Sequence, residues 1–146
     1  MSPKEKMEIL KGTKKLSQVS GDLQLGKRVT LVAEKDTIVV TGRIRNKGGF
    51  KVKGNLKAKN IYCDQGSLTV QGDLELEDEL EVDKKLHVSG SLQATEVKAG
   101  NSINIKGDAT CEELSAGNSI KITGKTTVER ISAGRLIKLE NDHKAG

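Results

Sequence analysis

The feature that most constrains this chain is an internal repeat. The 17-residue unit AGNSINIKGDATCEELS is followed at once by AGNSIKITGKTTVERIS, and a third unit opens at Ala133 and Gly134. Self-similarity at this length means stacked units, each too small to bury its own apolar face. A glycine marks each unit: Gly124, Gly107, Gly90, Gly72 and Gly54, at spacings of 17, 17, 18 and 18 residues. Four and two places before these glycines stand Ile120 and Ile122, Ile103 and Ile105, Leu86 and Val88, Leu68 and Val70, and Phe50 and Val52. Apolar residues follow at two and four places after, as in Leu74 and Leu76. A third run supplies Ile61, Leu80, Val97, Leu114 and Ile131.

Alternation with a period of two predicts strands, and recurrent glycine with Val, Ile and Thr disfavours helix. Three short strands in 17–18 residues make one circuit of a three-sided coil. The chain therefore reads as all-β, a three-sided β-helix (β-solenoid) in which coils stack about 4.8 Å apart. Six or seven coils would give a rod roughly 30 Å long by the same spacing. Ala99, Ala116 and Ala133 suit crowded corners. Asn141 takes the glycine position of the last unit, which predicts a left-handed backbone at that corner.

The N-terminal half is less regular. Ile38, Val40, Gly42 and Ile44 repeat the first strand and its corner. Val19, Gly21, Leu23 and Leu25 do so 21 residues earlier. A distorted coil pair with a hairpin at residues 46–49 is the expectation. Ser2, Pro3 and Glu5 form a capping-box pattern, and Gly12 would end the helix that it starts. Residues 1–15 thus read as a basic tail or a short capping helix, residues 16–140 as the solenoid, and residues 141–146 as a charged tail.

Composition fits this picture. The chain has no Trp, one Tyr and one Phe, so Leu, Ile, Val and Ala must fill the core. The net charge of +5 is a mild excess. No apolar run reaches the roughly 18 residues of a membrane span or resembles a signal peptide, so a soluble, cytoplasmic chain is expected. Cys63 and Cys111 are too few for a disulfide scaffold or a metal cluster. Cys111 falls in the inward column of Ala94 and Val128, whereas Cys63 falls near a corner and is expected to be partly exposed.

The segments LTVQGDLELE, LHVSGSLQATEVKAGNSINIKGDAT and NSIKITGKTTVERISAG resemble the bactofilins, polymer-forming cytoskeletal proteins, over about residues 16–140. The resemblance implies a right-handed β-helix. It also implies nucleotide-independent filaments joined through end coils, and a flexible N-terminal segment that attaches to membrane.

Four kinds of site follow. A solenoid has an open sheet edge at each end. The C-terminal coil offers Leu136, Ile137 and Leu139 with no aromatic plug after them, so this edge is expected to pair with another subunit. Val19, Leu23 and Leu25 would form a weaker N-terminal counterpart. Charge is segregated along the sequence: residues 43–59 are basic without an acid, and residues 73–83 acidic without a base. On adjacent coils these belts would neutralise one another, or Lys51, Lys53, Lys57 and Lys59 would make lateral or polyanion contacts. Nucleic acid is disfavoured, since no aromatic platform or reading helix is apparent. Lys4, Lys6 and Lys11 offer a membrane contact, with Met7, Ile9 and Leu10 a weak anchor.

Catalysis has little support. The alternation of 17 and 18 breaks the strict six-residue motif of hexapeptide acyltransferases. Only His87, outward on a flat strand, and His143 could act as general base, and no insertion builds a pocket. No enzyme activity and no cofactor are expected. The expected function is a cytoplasmic, self-assembling scaffold whose main partner is itself, with membrane or another protein as further partners. The alternative is a capped, non-polymerising module presenting a flat face to a protein or polyanionic partner.

Overall fold

Period-two alternation puts every second side chain on one side of a strand. A glycine corner after two such side chains turns the chain toward the next face. The computed structural model describes residues 6–140, with side chains from Glu8 onward. It contains nineteen strands, and every pairing between them is parallel. They stack into a β-solenoid of about eight turns, with no helix among the described residues.

Three faces result. Face A stacks Gly12–Leu16, residues 29–33, residues 50–53, Leu68–Gln71, Lys85–Val88, Ser102–Ile105, Ser119–Ile122 and Leu136–Leu139. Face B runs from Gln18–Val19 through residues 37–40 and 55–58, Leu74–Leu76 and Leu92–Gln93 to residues 126–128. Face C runs from Lys6–Ile9 through Asp22–Leu25, Arg43–Lys47, Asn60–Asp64, Glu79–Val82 and Glu96–Ala99 to residues 130–133. Inward columns of like aliphatic residues form one continuous core. Leu68, Leu86, Ile103 and Ile120 are one such column, each at most 1% exposed.

The coil length is 17 residues in the C-terminal half and 18 before it, as the repeat predicts. The N-terminal half corrects the sequence reading. Ile38 and Val40 belong to face B, where Ile38 pairs with Leu56 and Val39 with Lys57. The face A residues of that coil are Val29 and Leu31, in register with Phe50 and Val52. Between Val32 and Thr37 the register shifts, and exposed Glu34, Lys35 and Asp36 bulge out at the corner. Three extra residues turn 18 into 21, so the 21-residue spacing was a true register assigned to the wrong face.

The expected hairpin at residues 46–49 is a corner instead. Asn46 is buried and ties three coils together. Its Nδ2 donates to the carbonyls of Gly26 (2.8 Å), Gly49 (3.2 Å) and Leu25 (3.3 Å), and its Oδ1 accepts from the Gly49 amide at 2.8 Å. Gly48 and Gly49, with φ of 100° and 97°, supply the left-handed backbone that this turn requires.

The N-terminal tail or capping helix is also corrected. Lys6–Ile9 pairs with Asp22–Leu25, and Gly12–Leu16 pairs with residues 29–33. Face A consequently has eight strands, more than the six or seven coils expected. Ser2, Pro3, Glu5 and Asn141 lie outside the described residues.

The corner glycines serve a different purpose from the one inferred. Of Gly54, Gly72, Gly90, Gly107 and Gly124, only Gly54 has a left-handed φ, 127°. The others stack backbone on backbone. The amides of Gly90, Gly107 and Gly124 donate to Gly72, Gly90 and Gly107 at 2.9, 2.9 and 3.0 Å. A Cβ on Gly107 would lie 2.6 Å from the Gly90 carbonyl. Lack of space selects glycine here, not a positive φ.

Candidate functional site: the coil ends and the acid-free face

The residue after each corner glycine builds a side-chain ladder along the rod. Asn55 Oδ1 accepts from the Asp73 amide at 2.8 Å, and Asp73 Oδ1 from Ser91 at 2.9 Å. Ser91 Oγ accepts from Asp108 at 3.2 Å, and Asp108 Oδ1 from Lys125 at 2.8 Å. Each coil presents an acceptor to the next coil's amide. Lys125 ends the series, because an ammonium cannot accept. The sequence carried this signal as Asn, Asp, Ser, Asp and Lys after five glycines, and the repeat reading passed over it.

Among the described residues, the C-terminal end is apolar and unpartnered. Residues 126–133 and Leu136–Leu139 are paired on one side only. Ile137 is 37% exposed, although Ile120 one coil earlier is fully buried in the same register. Val128, Ile131, Ala133 and Leu139 are half-buried against the core. Val128, Ile131 and Leu139 line an open concavity of about 850 Å³ with Ala94 and Cys111. Thr126 Oγ1 is buried there without a hydrogen-bond partner, in register with Ala109. Leu136, grouped with Ile137 and Leu139 from sequence, sits differently. It takes the register of half-buried Ser119 and Ser102, the outward register of face A, and is 58% exposed.

The N-terminal end is one strand earlier than the sequence indicated. Leu23 and Leu25, expected at that end, are 1% and 2% exposed, because Lys6–Ile9 covers them. Val19 does lie in the outermost face B strand, Gln18–Val19, and is 3% exposed. On face A the outermost strand places Gly12 and Lys14 in the registers of buried Val29 and Leu31.

The charge belts do not survive as belts, because each winds around the rod. Lys51 and Lys53 lie on face A in register with Thr69 and Gln71, Lys57 on face B, and Lys59 at the following corner. Only Lys57 meets the acidic segment as an ion pair, with Glu75 at 3.9 Å, and both are half-exposed, so the pair is worth little. Charge is sorted by face instead. The eight face A strands carry Lys14, Lys15, Lys51, Lys53, Lys85, Lys121 and Lys138 and no acid. Glu140, just past the last of them, pairs with Lys121 at 3.5 Å. Face C mixes both signs, with Arg130–Glu113 at 3.6 Å and Lys98–Glu96 at 3.3 Å. Tyr62 also lies there; it donates to Glu79 Oε1 at 2.8 Å, and that bond raises its pKa. Lys11 is exposed beside face A, Lys6 begins a face C strand, and Lys4 lies outside the described residues.

The remaining reactive groups are enclosed or isolated. Cys63 is 1% exposed, not partly open as expected, because it stacks directly on Asn46. Its Sγ contacts Asn46 Oδ1 at 3.1 Å, and burial pushes the thiol up to about 12. Cys111 is 7% exposed, and burial raises it to about 11. His87 is half-buried on face A between Thr69 and Asn104, the outward position expected, and His143 lies outside the described residues. Among the described residues no three His, Cys, Asp or Glu side chains gather as metal ligands would, and no helix is long and apolar enough to cross a membrane. Comparison with protein-family models, curated proteins and solved structures found no match to this chain.

Proposed function

We propose that the protein is a self-assembling scaffold subunit of bactofilin type, joining end to end without nucleotide. One observation carries this reading: among the described residues, the last coil has a free sheet edge over an apolar floor. Ile137, Leu139, Val128 and Ile131 occupy registers that are buried one coil earlier. A second coil stacked there would bury these side chains, at about 25 cal/mol per Å² of apolar surface removed from water. It would also pair the free edge of two strands and offer Thr126 Oγ1 polar backbone groups. Leaving a free, flat edge next to apolar residues is the arrangement that monomeric sheet proteins avoid.

Negative-stain electron microscopy of the purified protein, without nucleotide or metal, tests the proposal. Filaments one solenoid wide are expected, and Ile137→Asp with Leu139→Asp should leave discrete particles. Discrete wild-type particles across salt and protein concentration would overturn it.

A further inference from the structure

Face A differs from the other two in a way that end-to-end joining does not use. Its eight strands are acid-free, and five of them present six outward lysines, Lys15, Lys51, Lys53, Lys85, Lys121 and Lys138; together they form one flat, parallel surface roughly 34 Å long at about 4.8 Å per strand. Arg28, Lys84, Lys106 and Arg135 flank the strands and extend the same charge, and they outnumber the flanking acids Glu34 and Glu140, the latter paired with Lys121. Net charge does not require this arrangement, since the chain as a whole carries only +5.

Two of the three exposed large apolar residues among those described border this face. Leu10, 67% exposed, sits at the corner between faces C and A. It shares a shallow depression of about 570 Å³ with Lys27, Arg28 and Lys47. Leu136, 58% exposed, lies in the outward register of face A between Arg135 and Lys138. The two leucines therefore stand near opposite ends of one basic surface, each among cations.

We infer that face A is a docking surface for an anionic lipid bilayer, with the lysines over the headgroups and Leu10 and Leu136 entering the interface. A plane of lysine ammoniums matches a plane of anionic headgroups. An apolar side chain ringed by cations fits the boundary between headgroup and acyl chain. Nucleic acid fits less well: a straight face reaches only one line of phosphates on a duplex. Face A also lacks the aromatic platforms that stack single strands, and exposed leucines have nothing to meet there. The inference stands on the face alone and holds for a single rod or a filament.

Flotation in a density gradient tests it, because vesicles rise while filaments sink. The protein should float with phosphatidylcholine vesicles containing phosphatidylserine and not with phosphatidylcholine alone. Each lysine near such a surface strengthens binding about five-fold, so Lys53→Glu with Lys85→Glu and Lys121→Glu should weaken it at least ~100-fold. Leu10→Ser with Leu136→Ser leaves every charge in place and should weaken it several-fold. The face C control, Arg43→Glu with Lys98→Glu and Arg130→Glu, should float nearly as the wild type does. Circular dichroism checks that each variant is folded. Equal flotation with neutral vesicles, none with anionic ones, or equal losses from the two triple variants would overturn the inference. So would tighter binding to duplex DNA than to anionic vesicles at the same salt, or lipid-indifferent lateral bundling.

Discussion

The two ends of the rod are built from the same repeat and finished differently. At the N-terminal end, the outermost face A strand has Gly12 and Lys14 where the next coil has buried Val29 and Leu31. At the C-terminal end, the equivalent positions hold Ile137 and Leu139. A charge in an inward register is a recognised guard against edge-to-edge pairing, and an aliphatic residue is an invitation to it. The N-terminal edge is therefore the less favourable one for pairing and the C-terminal edge the more favourable. The difference lies in two side chains of an otherwise common strand pattern.

The largest effect is expected from exchanging those finishes. Lys14→Leu should strengthen pairing at the N-terminal edge and Ile137→Lys abolish it at the C-terminal one. Light scattering of the single and double variants should show assembly strengthened in the first and lost in the second. Identical scattering from all of them would mean that the finishes do not matter. A smaller effect sharpens the contrast between interior and end. Leu86→Ala removes a fully enclosed side chain and should cost about 3 kcal/mol in denaturant titration. Ile137→Ala, already part exposed, should cost about 1 kcal/mol or less while the protein is unassembled.

The smallest effect is a pH dependence. Burial raises the Cys63 and Cys111 thiols to about 12 and about 11, so the folded state keeps protons that the unfolded chain loses above about pH 8.5. Their contribution is complete below that pH. It is lost as pH rises, since the unfolded state then binds fewer protons. Stability of the wild type should fall more steeply than that of Cys63→Ala between about pH 9 and 11. Parallel curves would show that the thiol titrates alike in both states.

The regular half of the fold was legible because its signal is redundant. Five coils repeat the same Gly-centred pattern, so the register from Leu68 to Leu139 follows from spacing alone. The irregular half was not, for a reason intrinsic to alternation. Ile38 and Val40 read equally well as a strand on any face, and only the extra Glu34, Lys35 and Asp36 reveal which. The buried Asn46 looked like a hairpin residue, since short-range chemistry cannot distinguish a turn within a sheet from a corner between sheets. The basic face was invisible in linear order. Its lysines lie one or two coils apart in sequence and share a surface only when the coil closes.

The ladder that ends at Lys125 has a mechanical consequence. Within a rod, side-chain acceptors at the glycine corner bind coil to coil from Asn55 to Lys125. At a joint made on the C-terminal coil that series is interrupted, because Lys125 has no acceptor to offer. A polymer of such rods would be a chain of strong segments with one weak link per subunit. Under tension it would part at the joints and release whole subunits, able to join again.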